Sequence, residues 1–201
     1  MVKYAIFPLL LLCFFGTAAF GHGFPPLSAR QAFSLIPTEI FDTTEHPLDE
    51  GDKEKLAEYG TAAFWTISQD KQDLLVFRSD DDKADVSLRM FRTKNGSVAA
   101  FRSKNREGEC LSELWYIHDN GHAAPLPLPP EPDTQDFFLP DTELPGRLSS
   151  SCAYCVFEKG LEVLPSFTSD GIPCDISADN AVFYLWNGQT FSLKIKTLDA
   201  E

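Results

Sequence analysis

Between Thr61 and His118 the chain is written in five short runs with a period of two: Thr61 to Ser68, Leu74 to Ser79, Ala84 to Thr93, Ser97 to Lys104 and Cys110 to His118. Alternating side chains point to opposite faces of a strand, so this period predicts half-buried strands rather than helices. Short polar turns separate the runs, and consecutive strands joined this way form an antiparallel meander. The pattern returns at Tyr154 to Glu158, at Leu161 to Phe167, and in a hairpin from Ala181 to Lys196. The expected fold class is therefore mainly β (α+β). An antiparallel meander forms a curved sheet, open barrel or sandwich, with two short N-terminal helices in front of it.

Asn95-Gly96, Asn120-Gly121 and Asn187-Gly188 are the strongest hairpin signals, because Asn-Gly tolerates the two positive φ angles of a type I′ turn. Taking each pair as the two turn residues predicts the register. Arg89 then stands opposite Arg102, and Asp119 opposite His122. His118 and His122 fall on opposite faces of their ribbon. In the last hairpin Trp186 meets Gln189, Tyr184 meets Phe191 and Val182 meets Leu193, all on one core face.

Ser28 and Gln31 make a capping box, with Leu27 placed for a hydrophobic staple and Pro37 as the stop. A second helix is expected from about Asp49 to Tyr59, closed by Gly60. Half of the 14 prolines lie between Pro125 and Pro145. That stretch is extended and cannot enter a central strand, so it reads as a strap pinned by Phe137-Phe138-Leu139. The expected organisation is a leader at 1–21, a short helical segment at 22–60 packed on the sheet, and a β domain at 61–201 with the strap at 123–150.

The leader reading rests on Lys3, an apolar run from Tyr4 to Phe15, and the small pair Ala19 and Gly21 before His22. This is the pattern of a secretory signal peptide, and it predicts an exported protein, periplasmic or extracellular. No long apolar run follows, so no integral membrane segment is expected after cleavage. Residues 1–21 hold Lys3 and no acid, so their removal takes the net charge from −13 to −14. A surface this acidic argues against nucleic acid, which needs cationic contacts. It suits a cationic partner through electrostatic steering.

Four cysteines remain: Cys110, Cys152, Cys155 and Cys174. An even number in an exported chain predicts two structural disulfides, with the pairing open among three connectivities. Cys152-Ala-Tyr-Cys155 has redox spacing, but strand-like Val156-Phe157 follows instead of a helix.

Several residues carry possible chemistry. Cleavage before His22 would offer copper both an α-amine and an imidazole. His22-Gly23-Phe24, with Ser28-Ala29-Arg30, resembles the opening of lytic polysaccharide monooxygenases. That resemblance implies a copper site at His22. No motif for a second brace histidine or an axial aromatic follows. Arg89, Arg102 and Arg92 form the one basic zone of an acidic chain and suit an anion or acidic glycan. Asp80-Asp81-Asp82 with Asp85 is calcium-like in composition but lacks the glycine and closing glutamate of a calcium loop. Trp65, Trp115 and Trp186 lie on strands and read as core. Nucleophile elbow, phosphate loop, zinc-protease helix and dinucleotide fingerprint are all missing.

The leading expectation is a non-enzymatic binding or structural module of the cell envelope that needs no cofactor. Its partner would be a cationic protein or a glycan. One concrete form is an inhibitor of a cationic, envelope-attacking enzyme. The alternative is a secreted enzyme acting on polysaccharide, with copper at His22.

Overall fold

In the computed structural model, which describes residues 26–81, 84–104 and 109–198, the first helix begins at its capping box. Helix α1 spans Ala29–Leu35. The Gln31 amide donates to Ser28 Oγ at 3.2 Å, and the Ser28 amide donates to Gln31 Oε1 at 2.8 Å. Ala29, Ala32 and Phe33 form its buried face. A 3₁₀ turn, Glu39–Thr43, then buries Ile40 and Phe41. Helix α2, Glu50–Tyr59, is capped by Asp49 and ends at Gly60, whose φ of 81° is left-handed backbone that glycine adopts without strain. No helix among the described residues is long and apolar enough to cross a membrane.

Two antiparallel sheets follow. The first holds β1 (Trp65–Lys71), β2 (Leu74–Ser79), β3 (Asp85–Thr93), β4 (Gly96–Lys104), β5 (Cys110–His118) and β6 (Ala123–Leu126), side by side in chain order. The second holds β7 (Leu148–Phe157), β8 (Gly160–Ser169), β9 (Ile172–Cys174), β10 (Asn180–Trp186) and β11 (Phe191–Thr197), ordered β11-β10-β8-β7 with β9 also on β8. Neither sheet closes into a barrel, which settles the mainly-β expectation as two open sheets.

The first sheet divides two cores. On one face Phe33, Ile36, Phe41 and Leu56 from the helical segment pack on Leu75, Phe77, Leu88 and Phe101. The Phe33 and Phe77 rings lie 4.7 Å apart, and the Trp65 ring meets Phe41 edge-on at 5.0 Å. On the other face Phe91, Val98, Ala100 and Leu114 meet Tyr154, Val156, Val163 and Tyr184 of the second sheet. Each such side chain contributes about 1.5–3 kcal/mol on burial, so the two faces are the main source of stability.

The sheets are fastened covalently by a Cys110–Cys155 disulfide, with 5.3 Å between the Cα atoms. Ser112 Oγ donates to the Tyr154 carbonyl at 2.6 Å beside it. The Trp186 indole donates to the Arg92 carbonyl at 3.1 Å at another point of contact. The proline-rich strap is tied down by the Tyr154 and Tyr184 hydroxyls, which donate to the Pro129 and Pro130 carbonyls at 2.9 and 2.6 Å. Phe137 and Phe138 are buried, and Asn180 Nδ2 donates to the Asp136 and Phe138 carbonyls.

All three hairpin registers differ from the Asn-Gly expectation. In the first, Thr93 pairs with Gly96, so the loop is Lys94-Asn95 and Gly96 is a strand residue. A Cβ on Gly96 would lie 2.4 Å from the Ile117 carbonyl oxygen of β5, so glycine is needed for strand approach. In the last, Trp186 pairs with Phe191 across a four-residue loop. Asn187 Oδ1 accepts from the Gln189 and Thr190 amides and holds that wider turn. Both slips are by two and leave every side chain on its expected face. The middle hairpin slips by one: the His118 amide donates to the His122 carbonyl across Asp119–Gly121, with Gly121 at φ 81°. An odd slip reverses the face, so His118 and His122 stand side by side, ring centroids 5.9 Å apart.

The disulfide joins two sheets 45 residues apart in sequence, so its loss acts on the sheet–sheet core. Cys110→Ser with Cys155→Ser is expected to lower unfolding free energy by about 2–4 kcal/mol, measured by urea denaturation. Unchanged stability would show that packing alone holds the sheets together.

Candidate functional site

The site begins where β6 leaves the sheet. β6 pairs with β5 from Ile117↔Ala123 to Leu114↔Leu126. Continuing the ladder would set Pro127 opposite Glu113, in the same phase as Pro125 opposite Trp115, but the pairing stops at Leu126. The chain then swings away as the strap, and the lower edge of β5 opens into a cleft of about 360 Å³. Its floor is Ser112, Glu113, Leu114 and Trp115 of β5. One wall is Pro125, Leu126 and Leu128, and Glu39 comes in from the start of the 3₁₀ turn.

Glu113 and Trp115 are two residues apart on one strand and so share a face, the one on which Ile117 enters the first core. Burial in this cleft pushes the Glu113 carboxyl above its ordinary value, and the negative charges of Glu39 and Asp42 push the same way. The Trp115 indole opposes them with a hydrogen bond. The arrangement is a small apolar cleft with one aromatic ring and a concentration of negative charge. Such a site favours a group that brings positive charge on an apolar stem.

The residues singled out from sequence are placed elsewhere. Cys110 and Cys155 form the disulfide, and Cys152 and Cys174 are free thiols. The expected second disulfide is not made. Cys152 lies on β7 and Cys174 on β9, on opposite sides of β8. Two strand spacings are about 9.5 Å, beyond the ~7 Å limit between bridged Cα atoms. Burial, with help from Glu131, pushes the Cys152 thiol up to about 11, which leaves it an unreactive structural thiol.

Arg89 faces Ala100 and Arg102 faces Ser87, so the expected like-charge pair does not form. Arg102 bonds Asp85 at 3.2 Å, and Arg92 bonds Asp73 through two guanidinium nitrogens. Arg89 is half-buried and carries no ion pair among the described residues. Of the calcium-like run, Asp85 is bonded by Arg102, Asp81 accepts from Ser79, and Asp82 lies outside the described residues. Trp65 is core and Trp186 is half-buried between Phe91 and Phe191, whereas Trp115 lines the cleft. His22 and the leader lie outside the described residues.

Sequence reading missed Glu39 and Glu113. The signal for Glu113 is an acid in the row Glu113, Trp115, Ile117, whose other members face inward. Glu39 had none, because it reaches the cleft from across the first core.

The raised Glu113 carboxyl has a definite sign. Its neutral form is favoured in the fold, so the stability it contributes is present below its unfolded value and lost as pH rises through its folded one. Glu113→Gln is expected to flatten the fall in stability as pH rises above the ordinary glutamate range, measured by urea denaturation across that rise. An unchanged pH profile would place this carboxyl in ordinary solvent.

No protein-family model matches the chain, and no curated protein matches it. Among solved structures it is similar to a domain of an uncharacterized protein from Porphyromonas gingivalis W83, at 12% identity and a TM-score of 0.52. The match covers 84% of this chain and 98% of that one, a likeness of fold.

Proposed function

We propose that this protein is an exported, disulfide-stabilised, non-enzymatic binding module of the cell envelope whose partner is a cationic protein. The observation that carries the reading is the cleft, where Glu39 and Glu113 flank Trp115 beneath an apolar wall. An arginine or lysine side chain of the partner fills it: the charged head meets the carboxylates, and the methylene stem lies against Leu126 and Leu128. The net charge of −13 over the whole chain steers such a partner toward the surface, and the cleft supplies the anchor. The interdomain-free scaffold is stiff, since both faces of the first sheet are packed, and a preformed site costs little ordering on binding. The Cys110–Cys155 bond supports an oxidising compartment. In its concrete form the module inhibits a basic, envelope-attacking enzyme by occupying a basic side chain near that enzyme's site.

The carboxylate pair also favours a second reading. A raised acid near a second carboxylate is the equipment of a glycoside hydrolase, with Glu113 as the proton donor and Glu39 as its partner. A sugar ring brings many hydroxyls, however, and the neutral polar groups lining this cleft are already engaged, the Ser112 hydroxyl with the Tyr154 carbonyl and the Trp115 indole with Glu113, among leucines and prolines. Unpaired hydroxyls against leucine would lose more than they gain.

The test is direct binding and inhibition of a basic cell-wall-degrading enzyme by the mature protein, with Glu39→Gln and Glu113→Gln combined. Binding is expected to weaken about tenfold or more in the double variant, and steeply between about 0.05 and about 0.5 M salt. Affinity indifferent to both would overturn the electrostatic anchor. Release of reducing ends from polysaccharide, abolished by Glu113→Gln, would put the enzyme reading in its place.

A further inference from the structure

We infer that Glu45, His46 and Asp81 form a binding site for one divalent transition-metal ion of the zinc class, which staples the helical segment to the turn between β2 and β3. One ligand atom from each of these three side chains lies within 4.8 Å of the others. His46 Nε2 is 3.2 Å from Asp81 Oδ2. Two ligands bound about 2.0–2.1 Å from a tetrahedral ion stand about 3.3 Å apart, so this pair is already at ligand spacing.

Glu45 and His46 come from the helical segment and Asp81 from just past the end of β2, and His46 and Asp81 are each held by groups outside the triad. The His46 ring stacks flat on Phe64, with centroids 4.7 Å apart and planes 11° from parallel. Its backbone is fixed by the Trp65 indole, which donates to the His46 carbonyl at 2.8 Å, and by the Thr44 hydroxyl, which donates to the same carbonyl at 3.1 Å. Asp81 is oriented from the other side. The buried Ser79 hydroxyl donates to Asp81 Oδ1 at 2.7 Å, which leaves Oδ2 turned toward His46. The Asp80 amide donates to the Phe64 carbonyl at 3.0 Å, so the turn and the stacking ring move as one unit. Outer hydrogen bonds of this kind aim metal ligands.

The donor set selects the ion. One imidazole nitrogen with two carboxylate oxygens suits zinc and its neighbours, whereas calcium and magnesium prefer oxygen alone. Three protein ligands leave positions open for water. The side chains of His46 and Asp81 are 26% and 30% exposed, enough for an ion to enter without unfolding.

The chain has four histidines, and His22, His118 and His122 could also take zinc. The experiment therefore uses the full mature chain with those three changed to Gln, so that His46 is the remaining histidine. Zinc, calcium and magnesium are titrated calorimetrically, and melting temperature is followed with and without zinc. One zinc per chain is expected, with a raised melting temperature and at least tenfold weaker binding of calcium and magnesium. Glu45→Gln and Asp81→Asn are each expected to weaken zinc at least tenfold, and His46→Gln to abolish it. Glu45 is exposed, so its variant reports on ligation even if another variant fails to fold. No zinc bound in the His46 background, or affinity unmoved by Glu45→Gln, would overturn the site. Calcium bound as tightly as zinc would overturn its class.

Discussion

Strands β3, β4 and β5 are packed on both faces, and the rest of the molecule depends on that. Leu88 and Phe101 face the helical segment, while Phe91, Val98 and Ala100 face the second sheet. A strand exposed to water on one side would need only one row of apolar residues. Here both rows are buried, so each sheet–layer contact is anchored to the same backbone. The disulfide, the Ser112–Tyr154 bond and the Trp186–Arg92 bond then fix how the second sheet lies on the first. The strap follows from that placement, because the tyrosines that hold it belong to the second sheet.

The cleft is a consequence of a ladder that stops early. β6 ends at Leu126, opposite Leu114, and the strap beyond it is drawn away to Tyr154 and Tyr184 rather than left loose. The exposed length of β5 is thus a built feature, bounded by leucines above and by the 3₁₀ turn below. Its acidity is local as well as global, since Glu39 and Asp42 both act on Glu113. The one basic zone, in contrast, is largely spent on internal pairs to Asp73 and Asp85. Arg92 and Arg102 are thus occupied, while Glu39 and Glu113 line the cleft.

The three hairpins show how far a local signal reaches. Asn-Gly marked every turn region, yet the turn residues differed in each case. The choice was made outside the turn. At Gly96 it was the close approach of Ile117, and at Asn187 it was a side-chain cap across a wider loop. Slips by two kept Val182, Tyr184 and Trp186 inward, as the alternation requires. The slip by one at Asp119–Gly121 was free to happen because that ribbon end is exposed, and no core row penalised it.

Periodicity, capping and turn residues alone determined the elements: α1 with its Ser28–Gln31 box, α2 ending at Gly60, and β2, β3 and β5 nearly to the residue. Those signals act between neighbours in the chain, so they are written locally. Tertiary structure decided the rest. It chose Cys155 for Cys110 and left Cys152 and Cys174 apart, because strand order sets Cα distances. It brought Glu39 to Glu113 across 74 positions of sequence, and His46 to Asp81 across 35. A binding site is a coincidence in space of residues with no common period, and only the packed layers bring them together.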